Sequence, residues 1–167
     1  MFHNNILGSV LAGGKSQRFG EDKSQVMLAD KLLIDYVLSE IIDEFKEILI
    51  ISNNKIKFLN SEKIARIEDF EKGLGPLGGV FSAMKWIKEN KRDYQWIATF
   101  PVDTPFFKRQ ILNDFIKNIN FKESDLFFIS FIWIKIYLLN RDNCIKTFWN
   151  NPSCHYLNCV KFFNFFI

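Results

Sequence analysis

Residues 6–23 read ILGSVLAGGKSQRFGEDK, a short apolar run followed by a loop rich in glycine and in cations. An apolar run of this length predicts a buried strand. Glycine lets the backbone of the loop approach a ligand closely, so that several N–H groups can converge on an anion. Lys15, Arg18 and Lys23 place positive charge around the same loop. The stretch therefore predicts a strand that leads into a binding loop for a polyphosphate, whose charges are costly to bury without fixed donors.

Two familiar phosphate-binding motifs do not fit this loop. A P-loop needs four residues between its first glycine and Gly-Lys-Ser/Thr, whereas five residues separate Gly14 from Gly20, and Glu21 follows. The dinucleotide fingerprint GxGxxG also fails, because Gly13 and Gly14 are adjacent. An ordinary strand-to-helix turn with solvated cations is the alternative, which the preceding strand and the spaced cations weaken.

Strands and helices alternate along the first two thirds of the chain. Apolar side chains recur at helical spacing over residues 31–45, and β-branched runs indicate further strands. The predicted strands are 6–11, 47–52, 65–69 and 94–100, and the predicted helices are 31–45, a helix after Gly79, and 107–119. This alternation predicts an α/β fold, a three-layer α/β/α sandwich around a mostly parallel sheet.

Polar or acidic residues follow the end of each later strand of this predicted sheet. Ser52 and Asn53 follow the second strand. Asp69 ends the third strand, and Asp103 follows the fourth. In open sheets of this type, ligands lie beyond the carboxyl ends of the strands. We therefore expect the glycine-rich loop and these side chains to converge on one crevice, with Ser52 and Asn53 as weaker candidates for contacts to a ribose or base.

Asp103 lies in the segment Pro101-Val102-Asp103-Thr104-Pro105. A carboxylate held between two prolines of restricted φ is well placed to bind a divalent cation. Mg²⁺ usually takes one or two protein carboxylates together with substrate phosphates and water, so a single aspartate suffices. The alternative is an aspartate that caps a helix starting near Phe106, and the phosphate loop earlier in the chain favours the metal role.

The pattern LAGGxSxRxGxDK over residues 11–23 resembles the signature loop of the molybdenum cofactor guanylyltransferases. Phe19 stands where that family usually has methionine, which keeps an apolar side chain before the last glycine. The segment 75–79, Gly-Pro-Leu-Gly-Gly, and the Pro-x-Asp-x-Pro element around Asp103 resemble two further motifs of the family, in the same order and at similar spacing. The resemblance covers roughly residues 6–118.

This resemblance implies a Rossmann-like nucleotidyltransferase fold and a role for each matching residue. It implies catalytic roles for Lys23, Arg18 and Asp103, with Mg²⁺ bound by Asp103. Without the resemblance, Lys23 would be read as a solvated lysine beside Asp22, although an ammonium is also a good partner for phosphate. The implied nucleotide-binding residues are Leu11, Ala12, Gly13, Gly14, Lys15, Lys23, Ser52, Asn53, Asp69, Gly78 and Asp103.

The implied reaction transfers GMP from GTP to the terminal phosphate of molybdopterin cofactor and releases diphosphate, which gives the guanine dinucleotide cofactor. The attacking phosphate is already anionic at neutral pH, so the demand on the protein is electrostatic and no general base is needed. Two alternatives stay open. A related nucleotidyltransferase would use a sugar phosphate or transfer CMP to molybdopterin, whereas a C-terminally damaged nucleotide-binding remnant would catalyse nothing.

The composition is that of one globular domain without nucleic-acid or membrane features. The 167 residues carry a formal net charge of +3, and no basic run indicates a nucleic-acid partner. The longest apolar stretch, 126–139, contains Lys135 and is shorter than the about 20 residues that span a membrane, so we expect it to form a buried strand. The three cysteines form no CxxC pair, and no secretory signal is apparent. We expect one domain, 1–167, that is cytoplasmic and monomeric, with transient contacts to cofactor-synthesis or acceptor enzymes.

Residues 120–167 differ in composition from the rest of the chain. None of the eight glycines lies in this region, and from residue 126 onward Asp142 is the only acidic residue. The His-Pro element and the Asn-x-Asn-Thr-Pro segment of the resembled family do not appear, since Tyr156 follows His155. We hypothesise that the coding frame was shifted near codons 122–135, and a divergent native end is the alternative.

Resequencing the gene and translating its other two reading frames tests this hypothesis. After a frame shift, one of those frames will contain the His-Pro and Asn-x-Asn-Thr-Pro segments downstream of codons 122–135. The shifted protein would keep affinity for GTP, transfer GMP poorly and expose apolar surface that promotes aggregation. If neither frame contains the two segments, the divergent native end is the explanation.

Overall fold

The computed structural model describes residues 4–13, 25–58, 61–70, 76–118, 126–131 and 134–140, the last two ranges as backbone alone. The strands in these ranges are β1 (Ile6–Leu11), β2 (Met27–Leu28), β3 (Lys31–Leu32), β4 (Ile48–Ile51), β5 (Ile64–Ile67), β6 (Trp96–Pro101), β7 (Leu126–Phe131) and β8 (Ile134–Asn140). The helices are α1 (Leu33–Ile41), α2 (Pro76–Glu89) and α3 (Arg109–Asn118). None of these helices is long and apolar enough to cross a membrane.

Six of the strands form one sheet in the order β5-β4-β1-β6-β8-β7. Strand β1 pairs in parallel with β4 and with β6, and β4 pairs in parallel with β5. Strand β8 runs antiparallel to both β6 and β7. Helices α1 and α3 pack on one face of the sheet, and α2 packs on the other. The predicted α/β/α sandwich with a mostly parallel sheet is confirmed.

Strand β1 is buried on both faces. Ile6 and Val10 belong to the apolar cluster that includes α1, whereas Leu7 belongs to the cluster that includes α2. Successive side chains of a strand point to opposite faces, so a strand covered by helices on both sides reads as a continuous apolar run. This burial explains why the sequence of β1 shows no alternation of apolar and polar residues.

A small hairpin precedes α1 and was not predicted from the sequence. Strands β2 and β3 pair antiparallel, with Met27 opposite Leu32. Ala29 in the turn has a φ of 57°, a left-handed conformation that residues other than glycine seldom adopt. The hydroxyl of Tyr36 donates a hydrogen bond to the carbonyl oxygen of Leu28 (3.0 Å), which fixes the hairpin to α1.

Most predicted bounds differ from the structure by no more than two residues, and β5 ends at Ile67, so that Asp69 lies two residues beyond the strand rather than at its end. The helix expected after Gly79 starts earlier, at Pro76.

Two further elements differ more. The apolar stretch 126–139, expected as one buried strand, forms the hairpin of β7 and β8, in which Phe131 pairs with Ile134. No glycine, proline, asparagine or aspartate marks its turn in the sequence. Helix α1 ends at Ile41 rather than at residue 45, but turns at 42–44 still return Phe45 to the core, where it is 2% exposed. Apolar spacing therefore could not locate the end of this helix.

The side chain of Glu40 connects the last turn of α1 to the start of α3. Its Oε2 accepts a hydrogen bond from the backbone N–H of Arg109 (2.9 Å), and its Oε1 accepts one from Lys108 Nζ (3.1 Å). Partial burial raises the pKa of Glu40, but the Arg109 backbone bond and the Lys108 ammonium together outweigh it, so the pKa lies below the ordinary 4.5. Because α3 follows the turn that contains Asp103, this contact supports one wall of the predicted crevice.

We expect Glu40→Gln to lower the free energy of unfolding at pH 7 by up to about 1 kcal/mol, since the ion pair is partly exposed. The folded protein holds the carboxyl proton less tightly than the unfolded chain does. The stabilisation is therefore present above pH 4.5 and is lost as the pH falls through the lower folded-state pKa. Urea unfolding at neutral pH and near pH 3.5 measures the difference.

The control for this experiment is Glu62→Gln, at an exposed position in the turn before β5. The control should behave like the wild type at both pH values. A stability difference between wild type and Glu40→Gln that does not shrink at the lower pH would contradict the prediction.

Candidate active site

Backbone hydrogen bonds continue beyond the carboxyl ends of β4, β1 and β6. The N–H of Ala12 donates to the carbonyl oxygen of Ile51 (2.9 Å), and the N–H of Val102 donates to the carbonyl oxygen of Leu11 (3.3 Å). These bonds satisfy polar groups that a strand end would otherwise leave unpaired. They also fix the point at which the glycine-rich loop leaves the sheet, beside the segments that follow β4 and β6.

Asp69 and Asn53 form a doubly hydrogen-bonded pair at this edge. Asn53 Nδ2 donates to Asp69 Oδ2 (2.8 Å), and the backbone N–H of Asp69 donates to Asn53 Oδ1 (3.1 Å). A Cβ added at Gly13 would lie 3.2 Å from Asp69 Oδ2, which is tighter than an ordinary van der Waals contact. Glycine at position 13 thus permits the backbone after β1 to approach the Asp69 carboxylate closely.

The Asp69 carboxylate is half-buried, and its pKa is shifted. Burial raises the pKa above the ordinary 3.8, and the hydrogen bond from Asn53 only partly offsets this effect. Among the described residues, Asp69 Oδ2 accepts the hydrogen bond from Asn53. A partly desolvated carboxylate beyond the carboxyl ends of parallel strands is a typical feature of a functional site.

The first turns of α2 lie directly on the end of β1. A Cβ added at Gly79 would lie only 2.7 Å from Leu11 Cδ2, so glycine is what allows the helix to approach the strand this closely. The carbonyl oxygen of Gly78 accepts a hydrogen bond from Ser82 Oγ (2.7 Å). The backbone of the second glycine-rich segment is therefore fixed against the start of the first.

Asp103 lies in an ordered turn after β6. Thr104 Oγ1 donates a hydrogen bond to the carbonyl oxygen of Pro101 (2.8 Å), and the N–H of Phe107 donates to the carbonyl oxygen of Thr104 (3.2 Å). Val102 is buried whereas the side chain of Asp103 is exposed. The turn thus presents the Asp103 carboxylate to solvent at the same sheet edge as Leu11.

Ser52 lies at the expected strand end, but its side chain is fully buried. Its hydroxyl donates to the carbonyl oxygen of Asn54 and accepts from the N–H of Asn54, both at 3.2 Å. These bonds stay within the turn after β4. The hydroxyl of Ser52 therefore shapes the turn that carries Asn53.

The structure places eight of the predicted site residues at this edge of the sheet: Leu11, Ala12, Gly13, Ser52, Asn53, Asp69, Gly78 and Asp103. It joins Asn53 to Asp69 by two hydrogen bonds and places the backbone of Gly13 beside the Asp69 carboxylate. The remaining predicted residues, Gly14, Lys15, Arg18 and Lys23, lie outside the described residues.

Sequence reasoning did not single out Ser82, which connects the segment after β5 to α2. Its Oγ accepts a hydrogen bond from the backbone N–H of Phe70 (2.8 Å). The one available signal is a serine at position 82 within the apolar stripe of α2, which is a weak indication without knowledge of its partners.

A family model described as the MobA-like NTP transferase domain matches residues 8–139 of this chain. The chain is 36% identical over 115 residues to a probable molybdenum cofactor guanylyltransferase of Halalkalibacterium halodurans, which covers 66% of this chain and 56% of that protein. It is 36% identical over 102 residues to a protein of the same name from Bacillus cereus, covering 59% and 48%. The chain thus spans about half the length of the curated relatives it matches.

Solved structures share the fold. Molybdopterin-guanine dinucleotide biosynthesis protein A from Archaeoglobus fulgidus aligns with a TM-score of 0.57 and 21% identity, over 81% of this chain and 67% of that one. The bifunctional IspDF from Campylobacter jejuni aligns with a TM-score of 0.66 and 17% identity, over 95% and 46%. The family match over residues 8–139, together with this fold, shows that the chain belongs to the MobA-like NTP transferase domain family.

Proposed function

We propose that this chain transfers GMP from GTP to the terminal phosphate of molybdopterin cofactor and releases diphosphate. The observation that carries the proposal is the position of Gly13 and Asp103 in the order of the strands. The chain runs from β1 to β4 and β5 on one side and returns to β6 on the other, so the order reverses between β1 and β6. Open α/β sheets bind ligands at such a switch point, and the loops after β1 and β6 contain Gly13 and Asp103.

The names of the relatives support the choice of nucleotide and acceptor. Two proteins that are 36% identical to this chain are named probable molybdenum cofactor guanylyltransferases. We therefore propose GTP and molybdopterin cofactor as the substrates. The monomeric state and the cytoplasmic location expected from the sequence stay predictions.

The proposed reaction asks the protein to bring two anions together. The attacking phosphate needs no general base, and charge builds up on the α-phosphoryl group and the leaving diphosphate. We propose that the backbone N–H groups of Gly13 and Gly14 bind the triphosphate. Lys15, Arg18 and Lys23 would add the cationic charge that their loop carries in the sequence.

Asp103 fits the protein's part of a magnesium site. It is an exposed carboxylate in a fixed turn at the switch point, and Mg²⁺ commonly takes one or two carboxylates together with substrate phosphates and water. Within the described residues, no group of three or more His, Cys, Asp or Glu side chains could hold a metal ion. Bound Mg²⁺ would neutralise charge on the triphosphate, and Asp103 would hold and orient it.

Asp69 fits the nucleoside side of the crevice. It lies at the β4–β5 side of Gly13, away from the switch point, and its carboxylate can accept hydrogen bonds from N–H or O–H groups of a nucleoside. We propose that Asp69 contacts the nucleoside and that Asn53 and Gly78 border the same region.

Release of diphosphate from GTP, measured with and without molybdopterin cofactor, tests the proposed function. We expect release that depends on the cofactor and formation of a guanine dinucleotide. CTP serves as the comparison nucleotide and should support little turnover. Turnover with CTP but not with GTP would favour the related cytidylyl transfer, and no turnover with either nucleotide would favour a non-catalytic remnant.

We expect Asp103→Asn to lower turnover at least about a hundredfold while leaving the fold intact, because a metal-held phosphate contributes several kcal/mol to transition-state stabilisation. Asp93→Asn is the matched control, since Asp93 is an exposed aspartate before the opposite end of β6. Steady-state assays at several Mg²⁺ concentrations measure the effect. Near wild-type turnover in Asp103→Asn would contradict the metal role.

We expect Asp69→Asn to raise the free energy of unfolding at pH 7 and yet to weaken GTP binding. The pKa of Asp69 is raised in the folded protein, so ionisation above pH 3.8 costs folding free energy, which the amide avoids. The gain in stability should shrink as the pH falls towards 3.8, because the wild-type carboxyl then becomes neutral as well. Urea unfolding and calorimetric titration with GTP measure the two effects, and unchanged GTP affinity would contradict the proposed contact.

A further inference from the structure

Ser82 connects the end of the β5 segment to the first turn of α2 through one hydroxyl group. Its Oγ accepts a hydrogen bond from the N–H of Phe70 (2.8 Å) and donates one to the carbonyl oxygen of Gly78 (2.7 Å). Phe70 follows Asp69 directly in the chain. The side chain of Ser82 is 0% exposed, so Ser82 acts on a ligand only through its neighbours.

The peptide groups on both sides of Asp69 are held by side chains from other elements. Asn53 Oδ1 accepts a hydrogen bond from the N–H of Asp69 (3.1 Å), and Ser82 Oγ accepts one from the N–H of Phe70. Because a peptide group is planar and rigid, fixing the N–H of Phe70 also fixes the carbonyl group of Asp69. The backbone of Asp69 is therefore held at both ends.

The Asp69 carboxylate is oriented by Asn53 and lies close to the backbone of Gly13. Its Oδ2 lies 2.8 Å from Asn53 Nδ2 and 3.2 Å from the position of a Cβ at Gly13. Hydrogen bonds weaken steeply when their geometry is distorted, so a small backbone shift after β5 would disturb these contacts. Helix α2 lies directly on Leu11 of β1. The hydrogen bond that the N–H of Phe70 donates to Ser82 therefore holds the backbone next to Asp69 in a fixed position relative to β1.

We propose that Ser82 is a positioning residue, which holds the backbone after Asp69 so that the Asp69 carboxylate meets the nucleotide beside Gly13. The inference rests on the proposed function, because it takes Asp69 as a nucleotide contact. A serine hydroxyl that bonds only to the carbonyl four residues earlier does not stabilise its helix. The hydrogen bond that Ser82 accepts from the N–H of Phe70 is therefore the one that acts on the candidate site. Lys85 gives α2 a second contact with Phe70, because its Nζ lies 2.8 Å from the centroid of the Phe70 ring.

Ser82→Ala removes the hydroxyl and leaves the N–H of Phe70 without its acceptor. We expect the dissociation constant for GTP in the presence of Mg²⁺ to rise about tenfold, which corresponds to about 1.4 kcal/mol. The amide hydrogen of Phe70 should also exchange faster with solvent. Calorimetric titration and amide hydrogen exchange measure the two effects.

Ser39→Ala is the matched control on the opposite face of the sheet. The Ser39 hydroxyl of α1 also donates to a helix carbonyl, that of Tyr36 (2.9 Å), and accepts from Lys31 Nζ (2.8 Å). Its removal should leave GTP affinity unchanged. Ser82→Thr, which keeps the hydroxyl, should retain the wild-type affinity.

A double variant separates positioning from a merely structural role. In the Asp69→Asn background, Ser82→Ala should cause no further loss of GTP affinity, because the group that Ser82 positions is already changed. A full tenfold loss in that background, or wild-type affinity in folded Ser82→Ala, overturns the inference and leaves the proposed function standing.

If Ser82→Ala does not fold, Ser82→Cys takes its place, because the cysteine sulfur is only a weak acceptor. Ser82→Cys should show the same loss of GTP affinity, and wild-type affinity in this variant also overturns the inference. Absence of GTP binding in the wild type overturns the proposed function itself.

Discussion

Strand β1 exchanges backbone hydrogen bonds with a parallel neighbour on each edge, and the arrangement of the crevice depends on this pairing. The register places Leu11 opposite Ile51 of β4 and opposite Pro101 of β6, so three strands end at one level. The N–H groups of Ala12 and Val102 extend the ladder past the strand ends. The sheet therefore fixes the starting positions of the loops after β1, β4 and β6, and these positions do not depend on the sequences of the loops.

The sequence was sufficient for the elements whose apolar pattern is simple. Strands β1, β4 and β6 are buried runs, and helix α2 shows a clear apolar stripe, so their existence and order followed from composition and spacing. The apolar stretch 126–139 could not be divided into β7 and β8 from the sequence, because the turn between them lacks the residue types that usually mark a turn. The end of α1 at Ile41 could not be predicted from apolar spacing, because Phe45 is buried although it lies beyond the helix.

The candidate site was predictable at the level of strand ends but not at the level of contacts. The rule that ligands lie beyond the carboxyl ends of parallel strands gave the positions of Asp69 and Asp103. It could not show that Asn53 would form two hydrogen bonds with Asp69 across a gap of sixteen residues in the chain. It also could not show that Ser52 would be turned inward, because the orientation of a side chain after a strand depends on the turn that follows.

The pairing of β1 with β6 also has a consequence for synthesis of the protein. Ile6 pairs with Trp96 and Leu11 with Pro101, so one edge of the central strand stays open until the chain has grown past residue 101. Non-local parallel pairing of this kind folds slowly, because the cost of closing a long loop precedes the stabilisation that the contact provides. The apolar residues of β1 and β4 are therefore open to aggregation until the ribosome has completed β6.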